Sequence, residues 1–406
     1  MSLNPFKLEF TLKQHTPLIH FQHDQEGATL RATELKPKLD RFLIKKHRVT
    51  IQNLIKITPN GHEYLDYKIF IDAPTGEVCY VSLPSGLENT EGENYSEKKI
   101  ASYFGNTGIQ AKKDARCTVF TSQDIKVYIV CYNADLKTLI EAQFSCFLAV
   151  TNFGTRQNKG LGSFFIKEKL ISSLHLNHKH FTIQTTDAIK VLNDINLFYR
   201  CLRSGINQKG AGQSDVYYFK SLMFMYAKRE GLTWDKRTMR ESFYLNNRNY
   251  QQVKENRRDA KEGTVNWSGA PNREFLFRDL LGLSSEQDWQ SYHDKITKEH
   301  TANEIDRFKS PITFKPIKEG NRFVVLVILD EIPNDYKNAT FKITSKVGGI
   351  KNLPIYNTFN LSDFFTFCIG LDIDNHFQET NVINPIHQAE ITTIKEIFRE
   401  LKKQLP

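Results

Sequence analysis

The stretch Phe153-Gly154-Thr155-Arg156-Gln157-Asn158-Lys159-Gly160-Leu161-Gly162-Ser163-Phe164 decides how the chain is read. Three glycines and two cations lie within it. That composition suits an anion. Glycine has no Cβ, so backbone N–H groups can approach a phosphate closely. Arg156 can fork onto phosphate oxygens, and Lys159 supplies a point charge. The same glycines also suit a tight turn that needs positive φ angles, and both readings stand at this point. Upstream, Leu136, Leu139, Ile140 and Phe147 recur at helical spacing and predict a helix from about Asp135 to Val150. Downstream, Phe164-Phe165-Ile166 is a short apolar strand. A dinucleotide-binding loop has the reverse order, strand before and helix after. A Walker loop needs Gly-Lys-Ser/Thr ahead of a helix, and that triplet is absent here.

Working toward the N-terminus, Leu8, Phe10 and Leu12 alternate with polar residues, the period of a half-buried strand. Thr16-Pro17 ends it, and a polar loop runs through Gly27. A helix is predicted from near Leu35, with Pro37 in its first turn. Leu39, Phe42 and Leu43 form its apolar stripe, while Lys38, Arg41 and Lys45 share another face and Arg31 lies just ahead. Two β-rich stretches follow, Tyr64–Ile71 and Cys117–Tyr132, separated by a surface loop from Pro84 to Gly108. Strand, helix, strands, helix, strand is the βαββαβ pattern of a ferredoxin-like, RRM-like domain.

The rest reads as a second domain, so the expected class is α+β with two such domains, residues 1–170 and 171–406. Helices are predicted at Asp187–Arg203 and Val216–Arg229, joined through Gly205, Gly210 and Gly212. A polar insertion, residues 233–309, carries Lys236, Arg237, Arg240, Arg248, Lys254, Arg257, Arg258 and Lys261. Ile312–Phe314 and Phe323–Leu329 form a hairpin about Glu319-Gly320-Asn321. A strand near Phe341–Thr344 and helices near Ser362–Ile369 and Pro385–Lys403 complete it.

Length and charge fit this picture. The chain has 406 residues, 40% hydrophobic, which allows two cores. Net charge is +9, favouring a polyanionic partner. Cys79, Cys117, Cys131, Cys146, Cys201 and Cys368 show no C-x-x-C spacing, so neither a disulfide framework nor a zinc site is expected. No signal-peptide stretch opens the chain and no apolar run approaches the ~20 residues that span a bilayer. The expectation is a cytoplasmic protein with no membrane contact and no cofactor.

The glycine-rich stretch resembles the signature loop of the RAMP superfamily, the repeat-associated RNA-binding proteins of CRISPR systems. Leu30-Arg31-Ala32-Thr33-Glu34-Leu35-Lys36-Pro37-Lys38-Leu39-Asp40-Arg41 resembles the family's first helix, with Pro37 where glycine is usual. Arg307-Phe308-Lys309-Ser310-Pro311-Ile312-Thr313-Phe314-Lys315-Pro316 resembles a second-domain strand of the two-domain subunit near the guide-RNA 3′ end of type III-B (Cmr) effector complexes. The resemblance implies guide RNA, target RNA and other RAMP subunits as partners. It implies phosphate contacts from Arg31, Lys36, Lys38, Arg41, Lys45, Gly154, Arg156, Lys159, Gly160, Gly162 and Ser163.

The alternative is an endoribonuclease, guide-processing or target-cleaving, built on His15 at the end of the first strand or Asp24 in the early loop. The backbone-forming subunits of the superfamily cut target RNA with an acidic residue in such a loop, but the residues around Asp24 do not match that pattern. His20, His23 and Asp24 are read as surface-loop residues rather than a metal centre, and His175, His178 and His180 as facing solvent rather than bonding phosphate. No catalytic centre is expected.

Overall fold

The computed structural model describes residues 5–19, 27–80, 117–174, 177–209, 216–244, 273–289, 294–302, 304–346, 349–380 and 382–405. In chain order the first half holds β1 Lys7–Gln14, α1 Ala32–His47, β2 Ile55–Ile57, β3 Glu63–Leu65, β4 Lys68–Asp72, β5 Glu77–Tyr80, β6 Cys117–Phe120, β7 Ile125–Val130, α2 Ala134–Ala149, β8 Phe164–Ile166 and β9 Lys179–Ile183. Then come α3 Ala188–Arg203, β10 Ile206–Lys209, β11 Val216–Phe219, α4 Leu222–Arg229, α5 Asp235–Phe243, β12 Glu286–Trp289 and β13 Asp294–His300. The remainder is β14 Ile312–Glu319, β15 Arg322–Leu329, α6 Asn334–Lys337, β16 Thr340–Ser345, β17 Gly349–Pro354, α7 Leu361–Gly370, β18 Phe377–Thr380 and α8 Pro385–Lys402. This is a mixed architecture of helices and several small antiparallel sheets.

Packing divides the chain into two compact units, Met1–Asn196 with Thr313–Ile328, and Leu197–Ile312 with Leu329–Pro406. In the first unit the main sheet has the order β4-β7-β1-β8, every pair antiparallel. Leu8, Leu12, Ile125, Val127 and Ile129 turn to one core, as the period-two pattern requires. Leu35, Leu39 and Leu43 of α1 and Leu136, Ile140, Phe144 and Phe147 of α2 fill it. The Phe10 and Phe144 rings meet at 4.3 Å. A second sheet, β14-β15-β9, includes the expected hairpin, with Gly320 at φ +61 in its turn.

Helix α1 begins three residues earlier than its sequence suggests. The Glu34 and Leu35 amides both bond the Arg31 carbonyl, at 3.2 and 3.0 Å. Pro37 therefore lies inside the helix, one turn past the position where its missing N–H is harmless.

The second unit holds the sheets β10-β11-β18 and β12-β13-β16-β17. The helix expected over Val216–Arg229 is instead a strand followed by a helix. Val216-Tyr217-Tyr218-Phe219 is β-branched and aromatic, and pairs with β10 on one side and β18 on the other. Ser221 then caps α4, its hydroxyl accepting from the Phe224 amide at 3.3 Å. The polar insertion contains α5, β12 and β13, so much of it is ordered. Arg248, Lys254, Arg257, Arg258 and Lys261 lie outside the described residues, as do Gly210, Gly212 and the Pro84–Gly108 stretch. No described helix is long and apolar enough to cross a membrane.

Candidate nucleic-acid interface

The glycine-rich loop leaves α2, closes on itself and enters β8. Its neck is fixed by the Phe153 amide donating to the Gly162 carbonyl at 2.9 Å. Gly162 has φ +69, and a Cβ there would stand 1.9 Å from the Phe153 oxygen. Gly154 has φ +77, and a Cβ there would stand 2.5 Å from the Ile19 oxygen. Only glycine fits either position, because the chain's own backbone approaches so closely.

Two other segments hold the loop. Strand β14 lies along it. The Phe314 amide donates to the Asn158 carbonyl at 3.1 Å, and Asn152 Nδ2 donates to the Gln157 and Phe314 carbonyls, each at 2.7 Å. Ser163 Oγ donates to the Pro316 carbonyl at 2.6 Å. Lys315 is fully buried, and its ammonium donates to the Thr151 and Phe164 carbonyls at 2.8 and 2.9 Å, one on each side of the loop. Burial, reinforced by the Lys38 charge, pushes the Lys315 pKa well below the usual lysine range.

The second holder is α1. Glu34 Oε1 accepts from the Gly154 amide at 2.7 Å and from Lys38 Nζ at 2.8 Å. Lys38 Nζ also donates to the Asn152 carbonyl and to Gln157 Oε1, both at 2.8 Å, and sits 4.8 Å over the Phe153 ring. One carboxylate and one ammonium thus clamp the loop to the helix.

These contacts sort the residues singled out in the sequence. Lys38 faces inward. So does Lys36, which pairs with Asp40 at 2.8 Å, donates to the Leu65 carbonyl at 2.9 Å and lies over the Tyr67 ring. Ser163 is buried. The glycine amides, read from the sequence as open to phosphate, bond chain acceptors instead: Gly154 to Glu34, Gly160 to Gln157 and Gly162 to Pro17. Lys159 is half-buried and bridged through its backbone to Phe314. Arg31 is half-buried at the start of α1, and Arg156 is partly exposed with φ +56. Arg41 and Lys45 are exposed, with no hydrogen bond or ion pair among the described residues. The structure therefore joins Lys38, Gln157 and the neck of the loop to one face of α1, along which Arg41 and Lys45 continue.

Glu34, Asn152 and Lys315 organise the loop, and none of them was expected to from sequence. Lys315 had a signal, since a lysine set in the apolar run Ile312-Thr313-Phe314 needs acceptors if the strand is buried.

His15 lies largely buried beside this assembly. Its Nδ1 accepts from the Lys318 amide at 2.7 Å. Burial, and then the Lys315, Lys318 and Lys13 charges, push its pKa down to about 3. The ring is neutral at pH 7 and has no proton to give as a general acid. Asp24, His20, His23 and His175 lie outside the described residues. Among the described residues no three His, Cys, Asp or Glu side chains come together as metal ligands.

Comparison with known proteins adds the family. The Cmr1 N-terminal domain matches residues 5–206, and the Cmr1 C-terminal domain matches residues 218–403. Among solved structures, the apo crystal structure of Cmr1 from Pyrococcus furiosus is similar at 10% identity, covering 89% of this chain and 95% of that one, with a TM-score of 0.39. No curated protein matches the chain. The domain matches define a RAMP protein of a type III-B CRISPR system. The chain belongs to the Cmr1 family, a subunit family of the multi-protein Cmr complex.

Two outcomes follow from this geometry. Gly162→Ala must displace the Phe153 carbonyl, and is expected to cost about 3 kcal/mol or more in urea unfolding. Gly320→Ala, also at positive φ but with nothing within 4 Å of the added carbon, is expected to cost about 1 kcal/mol. Equal costs would mean the loop is free to relax. For His15 the folded pKa lies below the unfolded value of 6.5, so the unfolded chain binds the extra proton between pH 6.5 and 3. Stability from the neutral ring is complete above pH 6.5 and falls as pH drops through that window. Relative to His15→Gln, the wild type is expected to lose stability at a slope approaching about 1.4 kcal/mol per pH unit. Parallel pH profiles would show that His15 titrates normally.

Proposed function

We propose that the chain is an RNA-binding structural subunit of the type III-B effector ribonucleoprotein. In this reading it contacts guide RNA near its 3′ end, helps to capture target RNA in antiviral defence, and works in the cytoplasm beside other RAMP subunits. It has no catalytic centre of its own. The observation that carries the reading is the clamp of Glu34 and Lys38, which fixes the glycine-rich loop against α1. Arg156 then marks one end of a cationic row, and Arg41 and Lys45 extend it along the exposed side of the helix. From Lys38 to Lys45 the row covers about 10 Å of helix axis. Arg31 and Lys159 lie at the margins, with Arg31 Nη2 and Lys159 Nζ buried, and contribute to the track as nearby charge. Such a row tracks backbone and reads little sequence.

The same reading assigns two ferredoxin-like RAMP domains, residues 1–170 and 171–406. For the first, the support is the sheet order β4-β7-β1-β8, with α1 after β1 and α2 after β7. In sequence ranks that is 2-3-1-4, as the βαββαβ pattern requires. For the second, the support is the order β14-β15-β9 with α3 following β9, which is 2-3-1 of the same pattern. The segment between α3 and β14 is then an insertion between helix and second strand.

Arg41→Ala with Lys45→Ala is expected to leave the unfolding free energy within about 0.5 kcal/mol, since both side chains are exposed. Binding of single-stranded RNA should weaken, and the slope of log K against log salt should flatten by about 1.4, roughly 0.7 for each phosphate contact. Adding Arg156→Ala should flatten it further. Unchanged affinity and slope in the triple variant would remove the track.

A further inference from the structure

Within the second unit, four cations meet two carboxylates, and all but Arg203 and Lys236 are buried. Asp279 is 1% exposed and is bonded by the Lys298 ammonium, itself 3% exposed. Arg203 Nη2 stands 3.7 Å from the other Asp279 oxygen and donates to the Gly282 carbonyl at 2.6 Å. Asp235 is fully buried, accepts from the Arg278 amide at 3.3 Å, and lies 3.9 Å from Arg278 Nε. Arg278 is 6% exposed, and its Nη2 donates to Gln287 Oε1 at 2.6 Å. Lys236 follows Asp235 on α5 and feels the charges of Arg278, Arg203 and Lys298, with Asp235 the one carboxylate acting on it among the described residues.

The cluster is short of negative charge by two units. Its donors also go unanswered, and Asp279 Oδ1, 3.7 Å from Arg203 Nη2, is buried without a hydrogen bond. Arg278 Nε and Arg203 Nε are buried without a hydrogen-bond partner, and the Lys236 ammonium has none among the described residues. Buried cations persist when anions and acceptors answer them, and leaving them unanswered is costly. Asp235 and Asp279 are committed to Arg278 and Lys298. Among the described residues no further carboxylate answers the excess. Arg203, with 30% of its side chain exposed, and half-buried Lys236 leave a way in.

We propose that this cluster is a binding site for a phosphate dianion, with Lys236 and Arg203 at its mouth and Arg278 as its floor. A phosphomonoester or inorganic phosphate carries about −1.5 to −2 at pH 7 and matches the excess, which a backbone diester with one charge does not. Its oxygens accept from a guanidinium fork and an ammonium together. The crowding of like charges is visible at Lys236. Repulsion from Arg278, then burial, brings its pKa down to about 8. This site uses none of the cations of the first unit, and inorganic phosphate tests it without RNA.

The test is thermal unfolding of the full chain in chloride and in phosphate at equal ionic strength, for the wild type and Lys236→Met. Phosphate stabilises folded chains in general, so the difference between the two proteins is the readout. Phosphate is expected to raise the wild-type midpoint by roughly 3 °C more than the variant's. In chloride the variant should unfold at or above the wild-type temperature, because it has lost an unanswered cation. Equal responses to phosphate, or a variant much less stable in chloride, would overturn the site. If Lys236→Met does not fold, Arg203→Gln serves, and an undiminished phosphate response there would equally overturn it. A short RNA ending in a phosphate that outdoes its hydroxyl-ended twin identifies an RNA end as the source. A response confined to inorganic phosphate identifies the free ion. Equal action by the two RNAs would mean that a diester suffices and the dianion assignment is wrong.

Discussion

Everything in the first unit hangs on the seam between the glycine-rich loop and β14. Some 150 residues separate the two segments in sequence, yet Asn152, Asn158, Ser163 and Lys315 stitch them together by main-chain carbonyls and one amide. Lys315 explains why the seam holds. An ammonium with no exposed surface is costly to bury, and its two carbonyl partners lie on either side of the loop. Any movement that opens the loop leaves that ammonium unanswered. The penalty of burial is thereby converted into rigidity of the loop. The glycines belong to the same economy. At Gly154 and Gly162 the space that a Cβ would fill is taken by the chain's own carbonyls, so the loop folds back on itself more tightly than other residues allow.

That rigidity changes what the loop's composition means. A phosphate loop spends its amides on the ligand. Here the glycine amides are spent internally, and the loop acts as a support. A support has value to a polyanion site because binding then need not order it, and ordering is a main cost of association. Lys38 shows the division of labour along α1. It gives its donors to the loop, whereas Arg41 and Lys45, one and two turns further on, keep theirs for solvent or ligand. A cation's residue type says nothing of this. Its neighbours decide it.

The elements built on hydrophobic period were legible in the sequence. β1, α2, β15, α7 and α8 lie within one or two residues of their expected bounds, since each buries a regular stripe, while β14 runs on from the expected Phe314 to Glu319. Where local preference and pairing competed, the sequence misled. Tyr217 and Phe219 resemble a helical stripe continuing into Met223 and Tyr226, and only strands β10 and β18 on either side make them a strand. The site was legible as a composition and opaque as a geometry. Both stretches at the seam, the loop and Phe314-Lys315-Pro316 at the end of the second motif, stand out when read separately. That they touch follows from tertiary packing alone, and with it the inward commitment of Lys36, Lys38 and Ser163.

Two ways of burying cations coexist in this chain, and comparing them shows which is complete. Lys315 has one charge and two strong acceptors at 2.8 and 2.9 Å, and its lowered pKa lets it shed the charge at little loss, because a neutral amine still donates to carbonyls. The cluster around Asp279 cannot relax that way. Two of its four cations are guanidiniums, which do not deprotonate in proteins, and at Lys298 the Asp279 charge opposes the burial that lowers its pKa. Lys236 yields its proton more readily than an ordinary lysine, and that would remove one of the two excess charges and leave the other. A buried site whose charge cannot be balanced from within remains poised for an anion. The seam needs nothing further, since its donors and acceptors already answer one another.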